Sequence, residues 1–352
     1  MTDHDLTTEL AERVRDAAAR RTPLRIVGGD TKRFLGREVS GDALAMARHA
    51  GIVNYDPAEL VVTARAGTPL RDVEALLGSH GQCLPFDPPR FGDGATLGGT
   101  VACGLAGPGR ASSGPLRDYV LGVRILCGDG RVLRFGGEVM KNVAGYDVAR
   151  LMAGAFGTLG VLLEVSLKVL PLPPSQLTLV QQVSQREALQ RLAGMSRTAL
   201  PLTASCWTAG RLHLRFAGTP ATLDEVARRI GGSAPEDAAE FWSGVREQTD
   251  GFFASPLPLW RLTIPAATEP LALRGEPLVE WHGMQRWYHV AEGDPAATAM
   301  ACGGFATCFR NASPGAAPFA SPGEPLLRVH RSLKQVFDPA GILNPGRMYP
   351  GI

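Results

Sequence analysis

Glycine is concentrated in one part of this sequence. Seventeen of the 42 glycines lie between Gly92 and Gly160. Glycine lets the main chain turn tightly and approach a ligand closely, so this clustering is typical of loops that present backbone amides. Together with an earlier loop at residues 28–36, three glycine-rich loops lie next to predicted strands; the other two are 96–100 and 157–160.

Loops of this kind predict a binding site for an anion. Successive backbone N–H groups form a concave site that needs no formal charge, and a diphosphate is the ligand they favour. Tight surface turns are the alternative interpretation, and for an isolated Gly-Gly pair they are the more common one. The dinucleotide fingerprint G-x-G-x-x-G is excluded, because Leu97 occupies the third glycine position after Gly92 and Gly94. No G-x-x-x-x-G-K-[ST] phosphate loop occurs either.

The charge balance indicates that any anion is bound by local groups. The chain has 352 residues, with 36 Lys+Arg against 34 Asp+Glu and a formal charge of +2. So small a net charge provides no long-range field for a polyanion. No basic stripe with interleaved aromatic residues is present, and we expect no nucleic-acid partner.

Hydropathy and cysteine spacing exclude further classes. Mean hydropathy is +0.00, and no apolar run approaches the 18 or so residues of a membrane span. The first 15 residues are rich in acidic side chains and contain no apolar signal core, so we expect a cytoplasmic protein without a transmembrane segment. The six cysteines form no C-x-x-C pair, so neither an iron–sulfur cluster nor another metal site is expected.

The first half of the chain alternates between predicted helices and strands. Residues 5–20 predict an amphipathic helix, and 24–27 a short strand that enters the first glycine loop. Thr68 and Pro69 have the residue types of an N-cap and a first helical position after a strand at 60–66. Further strands are predicted at 119–127, 131–135 and 161–170, the first two joined by an Asp-Gly turn. A proline-rich stretch at 171–174 then ends the first domain, which we place at 1–172.

The next segment repeats one pattern twice. A strand at 177–183 precedes the capping box Ser184-x-x-Glu187, and a strand at 211–216 precedes Thr222-x-x-Glu225. With strands at 202–207 and 257–264, the order is β-α-β-β-α-β, a ferredoxin-like arrangement over residues 173–320. Residues 321–352 predict a helix and a tail that return to the first domain.

Five motifs carry a resemblance to a known family. They are Ile26-Val-Gly-Gly-Asp-Thr31, Thr96-Leu-Gly-Gly-Thr-Val-Ala102, Lys141-Asn-Val-Ala-Gly-Tyr-Asp147, Gly157-Thr-Leu-Gly-Val161 and Phe337-Asp-Pro-x-Gly-Ile-Leu-Asn-Pro-Gly346. On these residues the chain resembles the vanillyl-alcohol oxidase type of flavoprotein, the PCMH-type FAD-binding family. The resemblance covers about half the chain. The ending Asn344-Pro-Gly-Arg-Met-Tyr-Pro350 is most similar to the FAD-binding subunits of bacterial glycolate oxidases.

The resemblance implies an α+β fold in which a two-subdomain PCMH-type FAD-binding domain carries a ferredoxin-like α/β cap. It implies FAD as the cofactor, with the diphosphate on the amides of the first two loops and the third loop along the adenosine or flavin. The implied cofactor residues are Val27, Gly28, Gly29, Asp30, Thr31, Pro88, Thr96, Leu97, Gly98, Gly99, Thr100, Gly157, Thr158, Gly160 and Val161. Some relatives bind FAD covalently through a histidine of the first loop. None lies between Gly28 and Gly36, so non-covalent FAD is predicted, with a thioether to Cys103 left open.

Oxidation of a 2-hydroxy acid needs a cation for the carboxylate, a base for the hydroxyl proton and a flavin. The cap segment offers Arg261, His282, Arg286, Tyr288, His289 and Arg310, which form no decisive cluster. His282 and Arg286 are the candidate catalytic residues, against a purely structural hydrogen-bonding role for the histidine. The His-x-Gly-Asp-Gly-Asn type of metal motif found in relatives that oxidise D-lactate or glycolate is absent.

Three functional hypotheses follow. The first is an FAD-binding subunit of a glycolate or 2-hydroxy-acid oxidase complex, which passes electrons through flavin to a partner subunit. Its implied partners are a larger FAD-binding subunit and an iron–sulfur subunit, through which it would associate with the inner face of the membrane. The second is a self-sufficient FAD-dependent 2-hydroxy-acid dehydrogenase, and the third is a non-catalytic assembly subunit that has kept the flavin fold.

Overall fold

The structure of the chain is a computed structural model, and it describes residues 4–137, 146–312 and 317–352. Most of the motif at Lys141 to Asp147 therefore lies outside the described residues. Its last residue is described: the Asp147 side chain accepts a hydrogen bond from the backbone N–H of Arg150 at 3.1 Å and caps a short helix.

Helices and strands alternate through the first half of the chain, and strands dominate the second. The helices are α1 (Thr7–Arg20), α2 (Leu70–Ser79), α3 (Leu97–Cys103), α4 (Arg110–Ser113), α5 (Val148–Met152), α6 (Gln185–Met195), α7 (Pro220–Ile230), α8 (Ala238–Glu247), α9 (Pro295–Ala301) and α10 (Glu324–Phe337). The strands are β1 (Leu24–Val27), β2 (Asp42–Ala45), β3 (Ile52–Asp56), β4 (Val61–Arg65), β5 (Gln82–Cys83), β6 (Val120–Leu126), β7 (Val132–Gly136), β8 (Val161–Lys168), β9 (Leu170–Pro171), β10 (Ser175–Gln182), β11 (Leu202–Thr208), β12 (Arg211–Gly218), β13 (Leu259–Thr263), β14 (Leu278–Glu280), β15 (Gln285–His289) and β16 (Phe305–Arg310). The predicted α+β class is confirmed.

The first half is built on an antiparallel sheet in the order β3-β4-β8-β6-β7. Its central strands are covered on both faces. Val161 and Leu163 of β8 pack with α1 and the parallel pair β1–β2, whereas Leu162 and Val165 pack into a second cluster with α2 and α3. Because both faces are buried, β8 is apolar along most of its length.

The C-terminal segment packs back onto this first half, as predicted. Phe337 joins the cluster of α2 and α3, while Ile342 and Leu343 join that of α1. The backbone N–H of Leu24 donates to the carbonyl of Ile342 at 2.7 Å, so the tail lies beside β1. We retain the division at 1–172, 173–320 and 321–352 as a proposal consistent with this packing.

The cap is an antiparallel sheet in the order β10-β12-β11-β14-β15-β13-β16. The predicted β-α-β-β-α part is present as β10 to α7. The following strand is placed differently, because a ferredoxin-like order would pair β13 with β10, whereas β13 pairs with β15 and β16. Strands β14 and β15 come between β11 and β13, and residues 278–310 thereby widen the sheet beyond the predicted four strands.

Helix starts show where local sequence signals held. The capping box at Ser184 and Glu187 is confirmed. The predicted cap at Thr68 is wrong, because α2 starts after Pro69 and the Thr68 hydroxyl instead exchanges hydrogen bonds with the backbone of Gly51. The predicted cap at Thr222 is also wrong, since the residue that caps α7 is Thr219. In both cases the cap lies elsewhere because tertiary contacts or an earlier Thr-Pro pair claim the position.

Candidate functional site

The three glycine loops predicted from the sequence meet in one cleft of about 1000 Å³. The predicted cofactor residues that line it are Val27, Gly28, Gly29, Asp30, Thr31, Thr96, Gly98, Gly99, Gly157 and Gly160. The structure does not bring the other five to its lining; they are Pro88, Leu97, Thr100, Thr158 and Val161, and all five are buried. The cleft lies between β1 and α3, with the loop before β8 as a third wall.

The first loop presents a run of free amides. Within the described part of the chain, the backbone N–H groups of residues 28–32 donate no hydrogen bond. The loop keeps its shape through carbonyl acceptors, since the carbonyl oxygens of Asp30 and Lys32 accept from Arg33 and Leu35. Asp30 has a φ of 57°, the left-handed conformation that turns neighbouring amides toward one point. Five successive unpaired donors in such a turn form a site for an anion.

The second loop contributes close approach rather than free donors. The Gly98 amide donates to the carbonyl of Ala66 at 2.7 Å, and the Gly99 amide donates to the Thr96 hydroxyl at 3.2 Å. A Cβ at Gly98 would lie 2.6 Å from the Ala66 Cβ. The expectation that these two amides hold phosphate is therefore not supported by the geometry, which assigns their glycines a packing role.

Main chain touches main chain where the first two loops meet. A Cβ on Gly29 would lie 1.4 Å from the carbonyl oxygen of Gly94, and one on Gly28 would lie 2.3 Å from the Thr96 hydroxyl. No side chain fits at either position without displacing a loop. The floor of the cleft is therefore made of backbone.

Sequence reasoning missed Asn344, which links two of the loops. Its Oδ1 accepts from the backbone N–H of Ile26 at 2.8 Å, and its Nδ2 donates to the carbonyl of Phe156 at 2.7 Å. A Cβ at Gly157 would lie 2.9 Å from this amide nitrogen. The Asn-Pro-Gly motif was visible in the sequence, but nothing local showed that it faces residues 318 and 188 positions away.

A buried ion pair holds the tail that carries Asn344. Lys334 Nζ lies 2.7 Å from Asp338 Oδ2 and donates to the carbonyls of Thr158 and Leu343 at 2.8 and 2.6 Å. The Asp338 carboxylate accepts from the backbone N–H groups of Ile342 and Leu343 at 3.1 and 2.7 Å. Burial lowers the pKa of Lys334, with the aspartate opposing the shift. The pair thus places Asn344 against the first and third loops.

The cleft lining carries more positive than negative charge. Arg25, Lys32, Arg33 and Arg347 line it, and Asp30 is the acidic residue among its described lining. Burial lowers the pKa of Lys32, whose Nζ donates to the carbonyl of Arg90 at 3.1 Å. Such a balance favours a ligand with phosphate charges.

Cys103 also lines the cleft, as the open question of a covalent link required. Burial raises the pKa of its thiol, with Lys32 and Arg347 opposing the shift. The neutral thiol is a poor nucleophile, so this environment favours the predicted non-covalent attachment of the cofactor.

The structure does not bring the two candidate catalytic residues to this cleft. Arg286 is fully buried in the cap, and its guanidinium donates to the carbonyls of Thr268, Glu269 and Gly283. The backbone N–H of His282 donates to the Ser205 hydroxyl at 3.0 Å, and burial lowers the pKa of its ring. Neither residue appears in the cleft lining, and the three carbonyl bonds assign Arg286 a structural role.

The other cap candidates also have partners, with one exception. His289 Nε2 lies 2.9 Å from the carbonyl of Phe252, and Tyr288 is buried. The Arg310 guanidinium lies 3.7 Å from the centre of the Phe34 ring and its Nε donates to Gln248 at 2.8 Å. Arg261 is the exception, and it lines a second cavity.

Two negative findings concern the described ranges only. In residues 4–137, 146–312 and 317–352, no group of three or more His, Cys, Asp or Glu side chains could hold a metal ion. Over the same ranges, no helix is both long and apolar enough to cross a bilayer.

Comparison with known proteins agrees with the cleft. The family model described as FAD binding domain matches residues 6–136, and that of the FAD linked oxidases, C-terminal domain, matches residues 320–348. The structure of an alkyldihydroxyacetonephosphate synthase superposes with a TM-score of 0.66 at 17% identity, covering 97% of this chain and 74% of that one. At this identity the likeness concerns the fold alone.

Two relatives are glycolate oxidase subunits. Subunit GlcE of Escherichia coli (strain K12) is 47% identical over 347 residues, which cover 98% of this chain and 98% of that protein. Subunit GlcD of Bacillus subtilis (strain 168) is 33% identical over 141 residues, 40% of this chain and 30% of that protein.

Fold and cleft together define an FAD-dependent oxidoreductase of the FAD-linked oxidase class, acting on CH–OH donors. The free amides of the first loop, the glycine contacts and the positive lining all fit the dinucleotide. Within this class, the chain belongs to the GlcE family of glycolate oxidase subunits.

Proposed function

We propose that this chain is the FAD-binding subunit of a glycolate oxidase complex and holds FAD non-covalently in the glycine cleft. The observation that carries the proposal is the run of unpaired amides at residues 28–32, set where three loops and four cationic side chains converge. This arrangement suits a diphosphate bridge. The near full-length similarity to GlcE supports the choice of enzyme.

The chain's own residues would bind and orient the cofactor. The amides of residues 28–32 receive the diphosphate, while Gly29, Gly98 and Gly157 keep side chains out of the contacts between loops. Asn344 fixes the distance between the first and third loops. When bound, the flavin supplies a hydride acceptor for oxidation of the 2-hydroxy acid.

The assembly is the finer part of the proposal. We infer that the chain works with a larger, GlcD-type flavin subunit, because a curated relative bears the name of a second glycolate oxidase subunit. An iron–sulfur subunit, and attachment to the inner face of the membrane through such partners, stay predictions from the family resemblance. A cytoplasmic location is proposed on the same ground.

The purified chain tests cofactor binding directly. We expect a flavin visible spectrum, with FAD released into the supernatant by acid. Gly99→Asp should lower the FAD content at least about tenfold, because it sets a carboxylate in the cleft beside the diphosphate. The backbone tolerates this change, since a Cβ at Gly99 meets only the Thr96 hydroxyl, at 3.1 Å.

Gly78→Asp is the matched control. Gly78 is exposed in α2, and a Cβ there meets nothing within 4 Å. This variant should keep the full FAD content. A colourless wild-type chain that cannot be reconstituted with FAD would overturn the proposal and favour a non-catalytic assembly subunit.

A further inference from the structure

A second cavity, of about 310 Å³, lies between the FAD-binding region and the cap. One wall is formed by Phe91 and Leu105, and the cap side includes Arg261, Glu280 and Trp287. None of the predicted cofactor residues lines this cavity. It is therefore distinct from the glycine cleft.

Arg261 enters the cavity without a counter-ion. Its Nε is buried and has no hydrogen-bond partner in the described part of the chain, and no carboxylate there lies within 4.0 Å of its guanidinium. The face of the Phe309 ring, 5.3 Å away, is its recorded side-chain contact. Burial lowers its pKa to about 10, which still leaves it charged at neutral pH. A buried cation without a partner is costly, and an anionic ligand would remove that cost.

Gln285 adds an unpaired acceptor. Its side-chain amide donates from Nε2 to Glu280 Oε2 at 2.9 Å, which leaves its buried Oε1 without a hydrogen-bond donor in the described ranges. Trp287 Nε1 donates to the same Glu280 oxygen at 2.7 Å. Unsatisfied buried polar atoms are rare, so a donor and an acceptor orphaned in one cavity indicate a ligand that supplies the opposite groups.

Strand register puts these groups side by side. Arg261 pairs with Trp287 across β13 and β15, and Gln285 pairs with Glu280 across β15 and β14. Residues 285 and 287 are two apart on one strand and share a face of the sheet. Arg261 and Gln285 are therefore diagonal neighbours, with Cα atoms about 7–8 Å apart, a separation that a small ligand can bridge.

We propose that this cavity binds a small 2-hydroxy acid, with the carboxylate on Arg261 and the hydroxyl donating to Gln285 Oε1. The ligand class follows from the pair of orphans, since a carboxylate alone would satisfy the arginine and leave the glutamine unpaired. The proposal rests on the proposed function for its redox meaning, and it gives this subunit a substrate site of its own without a metal motif.

The cavity shares a wall with the cofactor cleft. Cys103 lines the cleft and Leu105 lines the cavity, two residues further along the chain. Lys32 lines the cleft, and its Nζ donates to the carbonyl of Arg90, whose neighbour Phe91 lines the cavity. A hydroxy acid held by Arg261 thus lies on the cap side of the cleft.

Calorimetric titration of the FAD-containing full chain tests this assignment. Glycolate should bind, and acetate, which lacks the hydroxyl, should bind at least about tenfold more weakly. Arg261→Met should weaken glycolate binding by about 10- to 100-fold, because it removes a charged hydrogen bond. Arg261→Lys should fall between the two, since it keeps the charge and loses the planar fork. Gln285→Met should abolish the preference for glycolate over acetate.

A cap-surface arginine provides the control. Arg274 is highly exposed and pairs with Glu292, so Arg274→Met should leave glycolate affinity unchanged. The thermal midpoint of Arg261→Met should not fall below that of the wild type by more than that of Arg274→Met, because no salt bridge is lost. A large fall would instead assign Arg261 a structural role and overturn the proposal.

The outcomes separate this inference from the proposed function. An FAD-containing chain that does not bind glycolate, or whose Arg261→Met variant binds it as well as the wild type, would overturn the cavity assignment and leave the cofactor assignment intact. A chain without FAD that still binds glycolate through Arg261 would support the cavity and overturn the proposed function.

Discussion

The glycine cleft and the cap cavity are built from different parts of the chain. The cleft presents main-chain amides, and its most constrained residues have no side chain at all. The cavity presents the side chains of Arg261, Glu280 and Gln285 on the face of a sheet. A backbone site depends on which residues are absent from the contacts between loops, whereas a side-chain site depends on which residues are present. The two regions should respond to substitution in opposite ways.

The largest effect should come from the ion pair that holds the third wall of the cleft. Lys334→Met leaves the buried Asp338 carboxylate without its cation, and we expect a loss of about 3–5 kcal/mol in the free energy of unfolding together with a lower FAD content. Denaturant titration measures the first quantity and the visible spectrum the second.

Arg331→Met is the control on the same helix. Arg331 pairs with Glu324 at the exposed surface, so its loss should cost no more than about 0.5 kcal/mol. Equal effects of the two substitutions would show that the buried pair does not hold the tail in place.

A single methyl group should disrupt the backbone floor of the cleft. Gly29→Ala places a Cβ 1.4 Å from the carbonyl oxygen of Gly94, so one loop must move. We expect a loss of about 3 kcal/mol and of bound FAD. Gly78→Ala, in an exposed helix with nothing within 4 Å of its Cβ, should be neutral or stabilising by up to about 1 kcal/mol. Retention of FAD by Gly29→Ala would contradict the backbone character of this site.

The side-chain site should instead gain stability from a neutralised residue. Burial raises the pKa of Glu280 from 4.5 to about 7, although hydrogen bonds from Trp287 and Gln285 and the charge of Arg261 oppose the shift and Asp87 adds to it. Between these pH values the folded protein binds a proton that the unfolded chain lacks. The free energy of unfolding therefore falls as pH rises from about 4.5 to 7 and levels off above.

Glu280→Gln should remove this fall and be more stable than the wild type by about 2–3 kcal/mol at pH 8, with little difference near pH 4. Denaturant titration across this pH range in the absence of carboxylic acids is the measurement. Glu292→Gln at the exposed cap surface should leave the pH profile unchanged. A wild type and a Glu280→Gln variant with parallel profiles would refute the raised pKa.

The smallest of these effects is expected at the link between the first and third loops. Asn344→Gly removes two hydrogen bonds without backbone strain, because Asn344 has a φ of 42°, and should cost about 2 kcal/mol. Asn311 also has a positive φ, of 55°, but it is exposed and its two hydrogen bonds are 3.3 Å long. Asn311→Gly should therefore change stability little, and an equal loss at both positions would argue against a special role for Asn344.

Sequence patterns predicted the elements of the cleft well. Strand β1 has the predicted bounds, the hairpin of β6 and β7 is present, and the three glycine loops converge as expected. The predictions failed where distant residues decide the outcome. The place of β13 depends on strands that come later in the chain, and the cap at Thr68 is lost to the backbone of Gly51.

The site residues divide in the same way. Loop glycines announce themselves, because each is required by the local path of its own main chain. Gly98 was nevertheless given the wrong task, since its amide is used by Ala66 of a neighbouring strand. His282 and Arg286 were chosen by residue type, whereas Arg261 stands out only once its missing partner is visible.

The amino-acid sequence by itself determined where the chain turns, which loops lack side chains and in what order helices and strands alternate, because these depend on neighbours along the chain. Only the tertiary structure decided which amides stay free, which asparagine joins two loops and which arginine is left without a counter-ion. Those outcomes depend on hydrogen bonds and charges between residues far apart in sequence, and a buried polar atom is satisfied or orphaned only when the whole fold surrounds it.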